Sequence, residues 1–165
     1  MMTEHNRPSR SIRLAGCSDL PLVQQISADA YVSAYVPVLG YIPKPAEEDY
    51  GPRIARREVW LLECDGRAVG VMVLEERPDH LLVYSVVVKS TEQRQGHGSA
   101  LLDFADQRAT AIGVKEIRFY TNLRMEGNIA LYRRHGYVEV GTRPHPSRAG
   151  EVLVDMVRSV ALGGS

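Results

Sequence analysis

A glycine-bearing stretch between a predicted strand and a predicted helix is the most informative chemical feature of the sequence. Residues 92–102 read EQRQGHGSALL and directly follow the β-branched segment LLVYSVVVKST. The start of a helix offers unpaired backbone N–H groups and a partial positive charge, and glycines let both approach an anion closely. Gln93 to Ser99 therefore indicates a phosphate-binding turn, or else an ordinary turn whose glycines serve geometry alone.

Two familiar phosphate-binding motifs do not fit this stretch. No Lys-Ser/Thr pair follows Gly98, so it is not a Walker A loop. Leu101 takes the place of the third glycine of a dinucleotide fingerprint, and the preceding strand does not open an N-terminal βαβ unit. Spacing alone therefore leaves the anion open.

Composition narrows the class of protein. The chain has 165 residues, 44% hydrophobic and 24% charged, which suits one soluble globular domain. Lys+Arg and Asp+Glu are both 20, so no basic excess favours a nucleic-acid partner. No apolar run is long enough to cross a membrane and the first residues lack a signal-peptide core, so we expect a cytoplasmic protein.

The cysteines and histidines suggest neither disulfides nor metal. Cys17 and Cys64 form no CxxC pair and are expected to be reduced thiols. The five histidines show neither HxH nor HxxxH spacing, so we expect no metal site. His97, inside the glycine turn, is expected to be exposed.

Hydrophobic periodicity and turn residues predict a single α/β domain over residues 11–160, with flexible tails at 1–10 and 161–165. We expect a mixed central sheet of about six to seven strands flanked by helices. The predicted strands are 11–14, 59–64, 68–74, 81–88, 116–121, 137–142 and 152–159. The predicted helices are one from the Ser18-Asp19 cap to Tyr35, where Pro37 ends it, and three at 53–57, 98–112 and 125–135.

Two motifs carry a resemblance to a known family. Gln93-Arg94-Gln95-Gly96-His97-Gly98 resembles the Q/R-x-x-G-x-G/A signature of the GNAT superfamily of N-acetyltransferases, and Val86-Val87-Val88 stands where that family has a VAV strand. The segment NIALYRRHGY, residues 128–137, resembles its N-IALYRR-GY/F motif. The opening SIRLAGCSDLPLV is similar to the usual first strand and helix, so the resemblance covers nearly the whole chain.

The resemblance implies the GNAT fold and acetyl-CoA as co-substrate. The diphosphate of coenzyme A would lie on the N–H groups from Arg94 to Ser99. Arg94 departs from the family, where many members have a glycine; its side chain either contacts a phosphate or points to solvent. The implied cofactor-binding residues are Val86, Val87, Val88, Gln93, Arg94, Gln95, Gly96, His97, Gly98, Ser99, Asn128 and Tyr132.

The resemblance also implies catalytic roles. A backbone N–H near Val86 would donate to the oxyanion of the tetrahedral intermediate. Tyr132 matches a tyrosine that protonates the leaving thiolate, although its spacing also suits a core aromatic. Asn128 either bonds the pantetheine arm or caps its helix, and capping is the simpler interpretation.

The general base stays open. Many relatives have a glutamate where this sequence has Tyr84, and a phenol is not a competent base at neutral pH. Glu75 and Glu76 are candidates, as is a water chain or an amine that arrives neutral. Three carboxylates, Glu47, Glu48 and Asp49, fall in the region that would line the acceptor site. The same region has tyrosines at positions 31, 35, 41 and 50, which suggest an acceptor pocket or a lid over it.

The resulting hypothesis is an acetyl-CoA-dependent N-acetyltransferase. It would transfer acetyl to a primary amine of a small molecule or a protein by direct attack in a ternary complex, and a homodimer is possible. The alternative is a non-catalytic acyl-CoA-binding or regulatory domain of the same fold.

Overall fold

The computed structural model describes residues 9–161. Most of the predicted tails, 1–10 and 161–165, lies outside that range, and Arg10 belongs to the first strand. Within that range, seven strands form one sheet and five helices cover its faces. The strands are β1 (Arg10–Leu14), β2 (Val59–Cys64), β3 (Arg67–Glu76), β4 (Leu81–Val88), β5 (Glu116–Asn122), β6 (Val138–Pro144) and β7 (Val152–Ser159). The helices are α1 (Leu20–Leu39), α2 (Lys44–Glu47), α3 (Gly51–Ala55), α4 (His97–Ile112) and α5 (Glu126–Arg134).

The sheet is mixed, with strand order β1-β2-β3-β4-β5-β7-β6. All neighbours pair antiparallel except β4 and β5, which are parallel and joined by the α4 crossover. Asp65 and Gly66 connect β2 and β3 with φ angles of 51° and 80°, as a two-residue hairpin turn requires. The predicted single-domain α/β architecture and this hairpin are confirmed.

The first helical region departs from the prediction. Pro37 does not end α1; the helix runs on to Leu39 and closes at Gly40, whose N–H bonds to the carbonyl of Val36 at 2.9 Å. One lost N–H bond is tolerated here because Leu39 is buried by continuing the helix. A short helix, α2, also forms in a stretch expected to be irregular, with Pro45 in its first turn.

Two hydrophobic clusters lie on opposite faces of the sheet. Side chains such as Leu101 and Ile129 pack α4 and α5 on one face. Side chains such as Val23, Ile26 and Ile54 pack α1 and α3 on the other. A group that passes through the sheet must therefore use a gap between strands.

Such a gap opens between β4 and β5. Val73 pairs with Ser85 and Leu74 with Val83, so Tyr84 is an extra residue, a β-bulge in β4. Pairing of β4 with β5 stops at Val83. Because a bulge bends its strand and interrupts the ladder, the two strands diverge beyond this point.

Candidate functional site

A cavity of about 1230 Å³ occupies the divergence of β4 and β5. Tyr84 and Val86 line it from β4, and Tyr120 lines it from β5. Asn128 and Tyr132 reach it from α5. Further walls come from the end of α1, the segment around α2 and the loop between β6 and β7.

The cavity extends through the sheet from one face to the other. Phe119 belongs to the α4–α5 cluster and stacks on Tyr132, with ring centroids 3.7 Å apart. Tyr120, the next residue along β5, points to the opposite face because side chains alternate along a strand. Tyr84 packs on that same face. The site thus has an α5 side and an α1–α3 side, joined through the gap.

Tyr132 is held rigidly on the α5 side. Its ring lies between Phe119 and Tyr137, the latter edge-on at 5.3 Å, and the residue is 4% exposed. Burial, and then the nearby Tyr35, hold the pKa of the Tyr132 phenol well above its ordinary value. The hydroxyl is therefore protonated at neutral pH and is a donor.

Asn128 and Asn122 do not cap helices. The α5 helix begins at Glu126, so Asn128 lies inside it, and its Nδ2 donates to the Tyr35 hydroxyl at 2.8 Å. The capping interpretation of Asn128 is wrong, because Met125 is the residue that precedes the first helical residue of α5, and no side chain among the described residues caps this helix. Asn122 accepts from the backbone N–H of Arg124 at 2.9 Å, which fixes the turn after β5.

The glycine turn lies where β4 leads into α4. Arg94 and Gly96 adopt left-handed φ angles of 64° and 81°, and Gly96 precedes the first helical residue. Among the described residues no side chain caps this helix start. A Cβ built on Gly98 would meet nothing within 4 Å. The turn therefore presents free N–H groups to open space, a geometry that suits a phosphate.

His97 is not exposed, contrary to expectation. It is 1% exposed, and its Nδ1 accepts a hydrogen bond from Arg10 Nε at 3.1 Å. Arg10 also donates to the carbonyl of Gln95, so a side chain of β1 stabilises the turn. Because Arg10 is the donor, the His97 ring carries its proton on Nε2. Burial first, and then Arg10, hold the pKa of His97 below its ordinary value.

The predicted site residues fall into two groups. Val86, Asn128 and Tyr132 line the cavity. Val87 points instead into the α1 cluster, and Val88 packs against the α4 cluster. The turn residues form the second group. Gln93, Arg94 and Gln95 are exposed. The Ser99 hydroxyl lies 3.1 Å from His135 Nε2. Strand β4 and its continuation connect the two groups.

A charged cluster beside Tyr84 was not predicted from the sequence. The Tyr84 hydroxyl donates to Glu48 Oε1 at 3.0 Å, although the two residues are 36 positions apart. Arg53 Nε donates to Glu48 Oε2 at 2.8 Å, and the Arg53 guanidinium stacks 3.7 Å from the Tyr84 ring centroid. Burial, and then Glu48, raise the pKa of Tyr84 above its ordinary value.

No helix among residues 9–161 is long and apolar enough to span a membrane. No three metal-ligating side chains of the His, Cys, Asp or Glu types come together in the same range.

The chain is similar to known acetyltransferases in sequence and in structure. A family profile described as an acetyltransferase (GNAT) domain matches residues 55–139, just over half of the chain. No curated protein matches the chain.

Three solved structures illustrate the similarity in fold. The ribosomal-protein-S18-alanine N-acetyltransferase from Escherichia coli superposes with a TM-score of 0.75 at 19% identity, covering 95% of this chain and 97% of that one. The PaiA N-acetyltransferase from Thermoplasma acidophilum, solved in complex with coenzyme A, gives 0.76 at 16% identity, covering 92% and 99%. The N-acetylglutamate synthase from Neisseria gonorrhoeae, complexed with coenzyme A and N-acetyl-glutamate, gives 0.69 at 18% identity, covering 92% of this chain and 35% of that one.

Proposed function

Because the chain belongs to the GNAT family of acetyltransferases, we propose that it transfers the acetyl group of acetyl-CoA to a primary amine by direct attack within a ternary complex. The acceptor is a small molecule or an exposed protein amine. The observation that carries the proposal is the gap between β4 and β5, which joins a phosphate-type turn at the end of one strand to a cavity containing Tyr132.

The glycine turn holds the diphosphate of coenzyme A. The N–H groups that open α4 donate to phosphate oxygens, and the helix dipole favours their negative charge. Gly98 is suited to this contact because the space where its Cβ would stand is open. The exposed Arg94 guanidinium adds a cation at the rim of the same turn.

The diverging part of β4 holds the pantetheine arm and the thioester. Beyond Val83 the edge of β4 that faces β5 has no strand partner among residues 9–161. A ligand satisfies these backbone groups by adding to the strand edge. The backbone N–H of Val86 donates to the thioester carbonyl and stabilises the oxyanion that forms there.

Tyr132 donates a proton to the departing thiolate. Its hydroxyl is neutral at working pH, and its ring is fixed by Phe119 and Tyr137, so the donor does not reorient during the reaction. The raised pKa of Tyr132 makes it a weaker acid, so hydrogen bonding to the developing thiolate precedes full proton transfer.

Ligand-induced stabilisation tests the co-substrate. Thermal unfolding is measured with acetyl-CoA, NAD and ATP, and we expect a rise in melting temperature with acetyl-CoA only. Stabilisation by NAD or ATP alone would refute the proposal. Binding without release of the CoA thiol in the presence of any amine would favour the regulatory alternative.

Tyr132→Phe tests the proposed role of Tyr132 as the general acid. We expect kcat to fall about 100-fold, as for the loss of one general acid, while the acetyl-CoA shift is kept. Tyr137→Phe is the matched control, since its hydroxyl is buried without a hydrogen-bond partner among the described residues and does not line the cavity. Equal losses in both variants would mean that Tyr132 is only a packing residue.

A further inference from the structure

An N-acetyl transfer needs a group that removes protons from the amine. A primary alkylamine is mostly protonated at neutral pH, with an ordinary pKa near 10.4 for lysine. Attack on the thioester also leaves a proton on nitrogen that must depart before the amide forms. This requirement rests on the proposed function above.

Several titratable side chains line the cavity, but they differ in the element that carries them. Glu47 and Asp49 come from the segment around α2, and His145 comes from the β6–β7 loop. Tyr84 belongs to the diverging strand itself. Val86 and Val87 have no titratable atom. The Ser85 hydroxyl is buried and bonded to the Tyr31 hydroxyl at 2.6 Å. Glu75, a sequence candidate, contacts Arg53 and Arg77 and does not line the cavity.

Tyr84 and Glu48 both line the cavity and are bonded to each other. The bulge brings Tyr84 out of the regular strand pairing, immediately before the part of β4 that diverges. Its hydroxyl proton points at Glu48 Oε1, which leaves the phenolic oxygen lone pairs available to a further donor. An amine N–H is such a donor.

The Glu48 carboxylate is also held by contacts other than the one with Tyr84. Its Oε2 accepts from Arg53, so its two oxygens are divided between Arg53 and Tyr84. Gln24 holds the backbone of the same segment, donating to the Glu48 carbonyl at 2.8 Å and accepting from the Tyr50 N–H at 2.7 Å. The carboxylate is thus placed by contacts from α1 and α3, in addition to its contact with Tyr84.

The surroundings are rich in carboxylates. Arg53 also lies 3.5 Å from Glu58 and 3.6 Å from Glu75, so one half-buried guanidinium contacts three carboxylates. From β5, Tyr120 faces the same cluster, with Arg143 stacked 4.9 Å from its ring centroid and paired with Asp155. Glu58 and Glu75 each have a further arginine partner, Arg56 for Glu58 and Arg77 for Glu75. Arg53 is the arginine that contacts Glu48.

We propose that Tyr84 and Glu48 form a proton relay that serves as the general base. The amine first loses its ammonium proton to solvent. The nitrogen of the neutral amine then bonds to the thioester carbon while the carbonyl electron pair moves to oxygen. The N–H proton then passes to the Tyr84 oxygen as the Tyr84 proton passes to Glu48 Oε1. The C–O double bond re-forms, the C–S bond breaks, and the thiolate takes the Tyr132 proton. Solvent returns the Glu48 proton to Tyr132, so the sum is amine plus acetyl-CoA to amide plus free thiol.

Tyr84 is the catalytic residue of the pair and Glu48 is a positioning residue that acts through it. The variants are Tyr84→Phe, Glu48→Gln and the double variant. The glutamine keeps one oxygen for Tyr84 but turns an NH2 group towards the Arg53 donor. The melting temperature of each variant is therefore measured beside its activity. Glu58→Gln is the control, because Glu58 contacts Arg53 but neither Tyr84 nor the cavity.

The assay follows CoA thiol release with a panel of primary amines: tyramine, spermidine, lysine and an alanine-initiated tetrapeptide. The best acceptor is then used for kcat/KM between pH 4 and 9.5, a range that includes the ordinary pKa of a glutamate side chain, about 4.3. We expect each single variant to lose about 100-fold in kcat. The double variant should fall no further than either single one, because both remove the same relay. The Glu58 control should stay within about threefold.

The pH profile distinguishes a proton relay from a purely structural role of Tyr84 and Glu48. In Tyr84→Phe and Glu48→Gln the ionisation that belongs to the relay should vanish and change the shape of the profile. A uniform loss with unchanged shape, multiplicative losses in the double variant, or an equal loss in Glu58→Gln would overturn the relay. If Tyr84→Phe does not fold, Glu48→Gln decides alone.

The same experiment distinguishes this failure from failure of the proposed function. If wild type is stabilised by acetyl-CoA and acetylates an amine while the variants keep full activity, only the relay is wrong. If wild type is not stabilised by acetyl-CoA, the proposed function and the relay both fall.

Discussion

Gly98 offers a substitution that should remove coenzyme A binding without weakening the fold. A Cβ at this position would meet no atom within 4 Å, and its φ angle is not in the left-handed region. Valine is a better helix former than glycine, so Gly98→Val should leave the unliganded melting temperature unchanged or slightly higher. The isopropyl group, however, would fill the space we assign to the diphosphate.

The expected size of the effect follows from mass action. Acetyl-CoA at about 100 times its dissociation constant adds about 2.7 kcal/mol to the free energy of unfolding. For a chain of 165 residues, that corresponds to a rise of about 5–10 °C in melting temperature. If the valine weakens binding 100-fold, the same ligand concentration adds only about 0.4 kcal/mol, or about 1 °C.

The measurement is thermal unfolding of wild type and Gly98→Val with and without acetyl-CoA. Gly141→Val is the matched control, because a Cβ at Gly141 on β6 also meets nothing within 4 Å and lies outside the turn. The control should keep the full ligand shift. A Gly98→Val protein that is still stabilised by 5 °C or more would place the diphosphate elsewhere and refute the assignment of the turn.

Three further predictions concern the surroundings of the turn. Arg10→Ala should weaken acetyl-CoA binding about tenfold by calorimetry, because Arg10 braces the Gln95 carbonyl and His97; unchanged affinity would make it a surface residue. Gly70→Ala should lower the free energy of unfolding by about 1–3 kcal/mol in urea, because its Cβ would lie 3.0 Å from the Val87 carbonyl oxygen and 3.3 Å from Leu101 Cδ1. His97 has a lowered pKa, so the unfolded chain binds its proton more readily and stability should fall as pH drops below about 6.5. His97→Gln should flatten that fall in urea titrations at pH 7 and pH 5; an unchanged slope would contradict the assignment.

Elements bounded by turn residues were predictable from local sequence. The strands Val59–Cys64, Leu81–Val88 and Val152–Ser159 match their predicted bounds, because each is a β-branched or apolar run between turn or loop residues. The continuation of α1 beyond Pro37 was not predictable in this way. It depends on the burial of Leu39 against distant parts of the chain, which outweighs the local preference of proline.

The candidate site shows the same contrast between local sequence features and contacts of distant residues. The glycine turn and Tyr132 could be proposed from the sequence because each belongs to a compact segment with a recognisable spacing. The contact of Glu48 with Tyr84 was not found, because it joins residues 36 positions apart and depends on a bulge. A run reading LLVYSVVV gives no sign that one residue falls out of register.

This contrast has a structural cause. The strand and turn that we assign to the diphosphate and pantetheine of coenzyme A lie in one continuous strand–turn–helix segment, where a slip of one residue would turn Val86 away from the cavity. The part that we assign to the acceptor is assembled from the end of α1, the α2 segment and the β6–β7 loop. Arg124 connects these parts by donating to the Leu39 carbonyl at 3.1 Å and pairing with Glu151. Its charge lies at the carboxyl end of α1, where a helix favours a cation. Substitutions on these connected loops can therefore reshape the acceptor mouth while the strand that carries Val86 stays in register.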